Sequence, residues 1–575
     1  MTTRRPGVPT FVASAIVASF ALSTGCSSTP TPNAGGPANQ GAAADGTAVV
    51  NGLANSPITL PAGTPRRGGT LTYGLEGDTD GFDPAVARLS APGLIMANAV
   101  YDPLAAFAAD GTAKPYLAEK IESSADYKTW TVTMRSGIKF HNGEVLDADA
   151  VALHFKKMRD SPLTNAALDL IDATNPTTKV SDGVLQVNMV APWALFPALL
   201  TGQLGMVPAP AFYKEPEASK RADNPIGTGP FKLANREKNR ATEMVRNPDY
   251  WRRDAEGTQL PYLDAVTFRF YGDNKERDTA LVEGDINMEF TTFATSAKFL
   301  TQRAQQGQGQ VLRDQGSEEQ LFLLLNMDKP PLDDVRIRRA ISHAIDRNEY
   351  VKISDDDPSW INDNIFREDS PWNVPTDFPG FDPTKARALV AEYTKEKGSA
   401  PSFNMKTGDA VENQKIAQFF VKALNDVGMD VKPEVTSIDS YPTQLVFGQY
   451  DVGYVRLFGS IDPEGDRYWF ESKNASRPGE GRLGLNLARV RDDEIDKALA
   501  EARATTDLTI RRDAYGRFQR RLAELVPYVW LTTGVKYLGT DDRVRGITNG
   551  PLPDGTPSMP VVVGVTRLTY TWMAA

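Results

Sequence analysis

Residues 321–350, LFLLLNMDKPPLDDVRIRRAISHAIDRNEY, constrain this chain more than any other stretch. Leu321 to Leu325 is a continuous apolar run, the pattern of a strand buried on both faces. Pro330 and Pro331 cannot continue a central strand, and Asp333 or Asp334 can cap a helix. Beyond them Ile337, Ala340, Ile341, Ala344 and Ile345 recur at three- and four-residue spacing and make one apolar helical face. Arg336, Arg338, Arg339 and Arg347 fall largely off that face. One reading is a chain that leaves one core by a buried strand, crosses a proline joint and opens a second core. An ordinary strand–loop–helix inside one domain fits the local pattern equally well.

A chain of 575 residues is too long for one core and predicts roughly two to four domains. Its 24% of charged residues carry a net charge of −10, with no long basic stripe, which speaks against nucleic acid as a partner. Arg4 and Arg5 precede an uncharged stretch, Phe11 to Leu22. That is too short to span a bilayer but right for a signal peptide, expected over residues 1–25. It ends in Leu22-Ser23-Thr24-Gly25-Cys26, which resembles a bacterial lipobox and implies a lipidated Cys26. Ser23 departs from that pattern, because leucine is preferred three places before the cysteine. Cys26 is the one cysteine of the chain, so intrachain disulfides and cysteine metal clusters are excluded. Residues 26–64 are rich in small and polar residues and cannot bury enough surface to offset their ordering entropy. They read as a flexible tether with a typical reach of ~35 Å.

Several segments resemble one family. Besides LLNMDKPPLDDVRIRRAISHAIDR, these are SGIKFHNGEVLDADAVALHF at 136–155, Asn224 to Phe231 (NPIGTGPF), and Asn247-Pro248-Asp249-Tyr250-Trp251. Together with Tyr101-Asp102-Pro103-Leu104 and the Gly284-Asp285-Ile286-Asn287 connection, they are similar to the extracytoplasmic solute-binding proteins of family 5. These are the oligopeptide- and dipeptide-binding receptors of ABC importers. The resemblance covers nearly all of residues 66–575. It implies an α/β, two-lobe periplasmic-binding-protein-like (Venus flytrap) fold with an extra subdomain in the first lobe. The lobes are expected at 65–325, completed by 528–575, and at 326–527, with the subdomain at about 103–222. In the family, the segment 321–350 carries the chain between lobes, and Pro527 to Gly539 brings it back.

The resemblance further implies a monomer that closes on a peptide or peptide-like solute and hands it to a membrane permease, with no cofactor. The expected cleft walls are the loop holding Glu76, Thr79 and Asp80, and the segment holding Arg456, Phe458, Gly459, Ser460 and Asp462. Peptide-binding relatives have an aspartate in the second segment that pairs with the peptide's α-ammonium. Laid without gaps from Tyr450, that position falls on Ser460. Either a nearby carboxylate, Asp462 or Glu76, takes over the pairing, or the ligand's ammonium is not recognised; the second is the reading taken here. Non-peptide solutes such as a metal complex, haem or a glycoside stay open, as does a surface lipoprotein without a transport role.

Enzyme signatures are missing from the sequence. The three histidines, His141, His154 and His343, have no metal-ligand spacing, no HExxH is present, and no GxSxG elbow occurs. The glycines of NPIGTGPF lack the Gly-Lys-Ser/Thr that a phosphate loop needs. Cys26→Ala removes the sulfur that a thioether-linked lipid requires. The variant is therefore expected soluble outside the cytoplasm, or uncleaved, on cell fractionation; a variant still processed and firmly membrane-bound contradicts the lipoprotein reading.

Overall fold

The computed structural model describes residues 49–50, 53–54 and 63–574, apart from 315, 317, 318, 438, 439 and 476–483. The expected signal peptide and Cys26 lie outside the described residues. Of the expected tether, the structure describes a short antiparallel pairing of Val49–Val50 with Leu53–Ala54, and residues 63 and 64. Among the described residues no helix is long and apolar enough to cross a membrane.

Two sheets organise the rest. The first has seven strands, with Thr70–Leu75 between Ala265–Phe270 and Met288–Thr291, parallel to both. Antiparallel strands extend it on each side: Ala241–Arg246 and Phe231–Glu237 on one, Tyr537–Thr540 and Gln310–Arg313 on the other. A separate four-stranded antiparallel sheet, built from residues 118–188, packs around Trp130, Phe155, Trp193 and Phe196. The second main sheet has five strands. Glu319–Leu325 lies between Val452–Leu457 and Tyr528–Gly534, antiparallel to both, and Ser402–Gly408 and Asp430–Thr436 complete it in parallel.

Helices cover the second sheet, among them the one that the apolar stripe from Ile337 predicts. Pro383–Lys397 is capped by Asp382, and Val411–Asn425 buries Ile416, Ala417, Phe420 and Leu424. Val335–Ala344 is capped by Asp334, whose carboxylate accepts from the Arg336 amide, and it buries Ile337, Ala340 and Ile341. Two arginines expected off this apolar face are buried instead. The Arg338 guanidinium donates to the Leu525, Leu332 and Asp333 carbonyls, and Arg347 donates to the Trp530 carbonyl. Burial lowers both to about 10, and the carbonyl partners make their interior position tolerable.

The lobe boundaries differ from the expected ones. Leu321–Leu325 and the helix after Pro331 share one hydrophobic core, so the proline joint lies inside the second lobe rather than between lobes. The apolar run is buried on both faces because it is a central strand of the five-stranded sheet. The outward crossing therefore precedes it, after Arg313, and the return falls between Gly534 and Tyr537. Strand 319–325 and strand 528–534 belong to the second lobe, against boundaries expected at 325/326 and 527/528.

The two crossings run side by side. Glu319 is paired with Gly534, Arg313 with Tyr537, and the Asp314 amide donates to the Lys536 carbonyl at 2.9 Å. Glu319 lies 2.8 Å from Arg456 and 3.8 Å from Lys536, whose side chain is fully buried. Burial alone raises its carboxyl, but Lys536 and Arg456 outweigh it and hold the group below the usual range. Gly534 admits this arrangement, since a Cβ there would sit 2.8 Å from the Arg456 guanidinium. Glu319→Gln removes the negative charge between the buried Lys536 and the largely buried Arg456 and should cost roughly 1.5–3 kcal/mol, the worth of a hydrogen bond to a charged group. Chemical denaturation checks this; unchanged stability contradicts the role given to Glu319.

Candidate ligand-binding cavity

The strand Val452–Leu457 ends in a turn that aims the following residues at the first lobe. Phe458 has φ +70° and Gly459 φ +104°. A left-handed phenylalanine is costly, of order 1–3 kcal/mol. Its ring is held by stacking on Phe322 at 5.2 Å and by contacts with Phe470, Tyr528 and Trp530. The turn is fastened by Asp466, which accepts from the Gly459 and Ser460 amides at 3.0 and 2.9 Å and from the Ser460 hydroxyl at 3.0 Å. Removal from water pushes the Asp466 carboxyl up to about 6. Asp462 then caps the 3₁₀ helix Pro463–Trp469 and pairs with Arg511 at 2.6 Å.

Ser460, Ile461, Asp462 and Gly465 form one wall of a cavity of about 200 Å³. The facing wall comes from the first lobe: Leu94 and Asn98 of helix Ala91–Val100, residues 198, 199, 201 and 202, and the C-terminal segment with Asn549, Val562, Val563, Val565 and Arg567. Ile461 packs against the cluster of Phe107 and Met559 and closes one edge with an apolar contact between lobes.

A charged contact closes another edge. Arg467 is 2.8 Å from Glu464, 2.7 Å from Glu471 and 2.8 Å from Asp169 of the first lobe, and its guanidinium lies 5.2 Å over the Trp193 ring. Lys473 also reaches Asp169, and the Ala194 amide donates to the Arg503 carbonyl at 2.9 Å.

The structure distributes the expected site residues unevenly. Ser460 and Asp462 line the interlobe cavity; Phe458 and Gly459 border a smaller space beside it with Ser460. Arg456 faces the crossings, paired with Glu319, and borders a third small space. Glu76, Thr79 and Asp80 do not line the interlobe cavity, because each is held within the first lobe. Glu76 accepts from the Thr292 amide and hydroxyl at 2.6 and 3.1 Å; the Thr79 hydroxyl donates to the Gly81 carbonyl; Asp80 pairs with Arg88. The histidines bond to structural partners: His141 to the Gly229 carbonyl, His154 to Tyr213 and the Leu204 carbonyl, and His343 to the Gly380 carbonyl. Burial lowers His141 and His154 to about 4.

Asn98, Thr201, Asn549 and Arg567 were not visible as site residues in the sequence. Asn98 and Thr201 stand about a hundred positions apart, Asn549 and Arg567 lie over three hundred further on, and no spacing motif joins them. A lone arginine after the apolar run Val561–Val565 was the one local hint.

Comparison with known proteins shows the family and the fold. The sequence pattern described as "Bacterial extracellular solute-binding proteins, family 5 Middle" matches residues 112–477. The chain belongs to this family. Family 5 consists of substrate-binding proteins rather than enzymes. The Escherichia coli nickel-binding periplasmic protein is 27% identical over 78% of this chain and 86% of its own length. The Bacillus subtilis oligopeptide-binding protein AppA is 25% identical over 87% of this chain and 92% of its own. In fold, the chain is similar to the ABC transporter-associated periplasmic binding protein DppA of Helicobacter pylori, solved with the peptide STSA. The TM-score is 0.73 at 22% identity, over 89% of this chain and 99% of that one.

Glu464 gives this family 5 protein a pH dependence. It is fully buried, and desolvation pushes its carboxyl from 4.5 up to about 7, against the pull of Arg467 and Arg503. A folded-state value above the unfolded one means that the folded protein holds this proton more tightly. The resulting stability is complete below about pH 4.5 and is lost as pH rises through 7. Glu464→Gln should therefore show a smaller fall in melting temperature between pH 5.5 and pH 8 than wild type. Superimposable pH profiles contradict the assignment.

Proposed function

We propose that this protein captures a small peptide or peptide-like solute between its lobes and delivers it to a membrane ABC permease. The observation that carries the reading is a cavity with walls from both lobes, so that a ligand seated there touches both only when they are closed over it. Such a ligand shifts the population towards the closed form, which a permease can distinguish from the open one. The wall offers amide, hydroxyl and aliphatic groups with one arginine and one aspartate, which suits an organic solute. The names of its relatives, among them an oligopeptide-binding protein, support the same class.

We read the solute's N-terminal ammonium as unrecognised. Asp462 is paired with Arg511, and Glu76 accepts from the Thr292 amide, so each carboxylate suited to replace the missing aspartate already has a partner within the protein. The lipobox-like Cys26 supports an anchor at the outer face of the cell membrane, with the tether giving a monomeric receptor its reach. The chain performs no chemistry on its solute.

Thermal unfolding with a mixed di- and tripeptide pool, and with the same pool N-acetylated, tests this. A component at a hundredfold excess over its Kd adds ~2.7 kcal/mol of stability. Both pools are expected to raise the melting temperature equally, and mass spectrometry should find no cleavage. No shift with either pool contradicts solute capture, loss of the shift on acetylation restores an ammonium anchor, and time-dependent cleavage indicates an enzyme.

A further inference from the structure

Arg567 is a buried cation on the cavity wall. It is 7% exposed. Its backbone amide donates to Asn549 Oδ1 at 2.6 Å, which fixes the main chain. Its guanidinium has no ion pair or hydrogen bond among the described residues, and its Nε is fully removed from solvent. What holds it is an aromatic face: the guanidinium carbon lies 4.6 Å from the Tyr116 ring centre.

The surrounding charges do not balance it. Arg252 flanks the same Tyr116 ring at 5.2 Å and donates to the tyrosine hydroxyl at 3.0 Å. The carboxyl whose field reaches both arginines is Asp102, fully buried, with its oxygens occupied by the Tyr250 hydroxyl at 3.1 Å and the Trp251 indole at 2.8 Å. Two guanidinium groups face one carboxylate. On the opposite wall Asp462 is matched by Arg511. The cavity therefore carries an excess positive charge at Arg567.

An unpaired buried charge is unfavourable until a counter-charge joins it. A guanidinium presents its nitrogens as a flat fork that fits a carboxylate with two parallel hydrogen bonds. Around Arg567 the lining is largely aliphatic and aromatic, with Leu94, Phe107, Leu199, Ile461, Val562 and Val565. Asn98 donates to the Leu94 carbonyl at 2.9 Å, and its own side-chain oxygen has no described partner. The volume of about 200 Å³ is below the ~300 Å³ at which ordinary small-molecule sites begin.

We propose that Arg567 is a specificity-determining residue that binds the carboxylate of the captured solute, selecting compact solutes with one free carboxylate and a mainly aliphatic body. This rests on the solute-capture reading above. It assigns the negatively charged end of the ligand to the first lobe, and the apolar body to the space between Leu199 and Ile461.

Calorimetry on the purified protein tests this with three acids and their amides: alanyl-leucine, N-acetyl-leucine and 4-methylpentanoate. The three acids separate a peptide terminus from a simple carboxylic acid as the source of the group. At least one acid is expected to bind, with its amide at least about tenfold weaker, the factor that 1.4 kcal/mol gives. Arg567→Met should lose that acid by tenfold to a hundredfold and, without ligand, melt at or above the wild-type temperature, because it removes an unpaired buried charge. Arg567→Lys should fall between the two, keeping the charge without the fork.

Equal binding of acids and amides overturns the proposal, as does an unchanged acid affinity in Arg567→Met, or no binding of any acid to wild type. If Arg567→Met does not fold, Arg567→Lys decides: a weakened acid with an unchanged amide supports the proposal, and an unchanged acid overturns it. Peptides that bind through the pool experiment regardless of their carboxylate remove Arg567's role and leave solute capture standing. Failure of every pool component removes both.

Discussion

Glu319 stands where the chain's two passages between lobes meet, and the placement of everything else depends on it. The passages are adjacent antiparallel segments, so each lobe's sheet is tied to the other through one narrow strip. Two cations enter that strip, Arg456 from the second lobe and Lys536 from the return passage. Without a carboxylate between them they would repel at close range in a poorly solvated place. With it, the strip is electrostatically closed and sterically tight, down to the missing Cβ of Gly534. A narrow, well-defined joint leaves the lobes free to meet elsewhere only through the contacts they build themselves.

Those contacts separate into two kinds. At one edge Ile461 packs on Phe107 and Met559; at another Arg467 joins Glu464 and Glu471 to Asp169 across the gap. Between them lies the cavity. Its lining carries two charged groups, Asp462 and Arg567, and Asp462 is committed to Arg511 before any ligand arrives. Arg567 is the exception, and a receptor that spends its anionic groups on its own framework while leaving a cation open discriminates by the sign of its ligand's charge.

Much of this was legible in the sequence. The apolar run at Leu321, the helical stripe from Ile337 and the capping aspartate before it gave correct local structure, because each follows from burial or from unsatisfied helix-end amides. What the same pattern could not decide was which core the elements join; strand and helix share one, and the lobe boundary moves ahead of them. Arg338 and Arg347 misled for a related reason, since an arginine that can donate to several carbonyls is accepted inside. For the site, the turn after Leu457 was found from a resemblance to family 5 and holds Ser460 and Asp462 at the cavity. Glu76, Thr79 and Asp80 were expected beside them, but their partners lie within the first lobe, a matter of tertiary packing that no local pattern carries. Arg567 and Asn98 are brought together by tertiary packing of segments over 400 positions apart, for which no spacing rule exists.

The central claim is that the solute sits between the lobes rather than on either one. A crystal structure of the protein with a solute captured from the peptide pool tests it most directly. The account predicts ligand density bounded by Ser460 to Gly465 on one side and by Asn98, Asn549 and Arg567 on the other. Density confined to one lobe, or seated instead in the smaller space that Phe458 and Gly459 border, would contradict it.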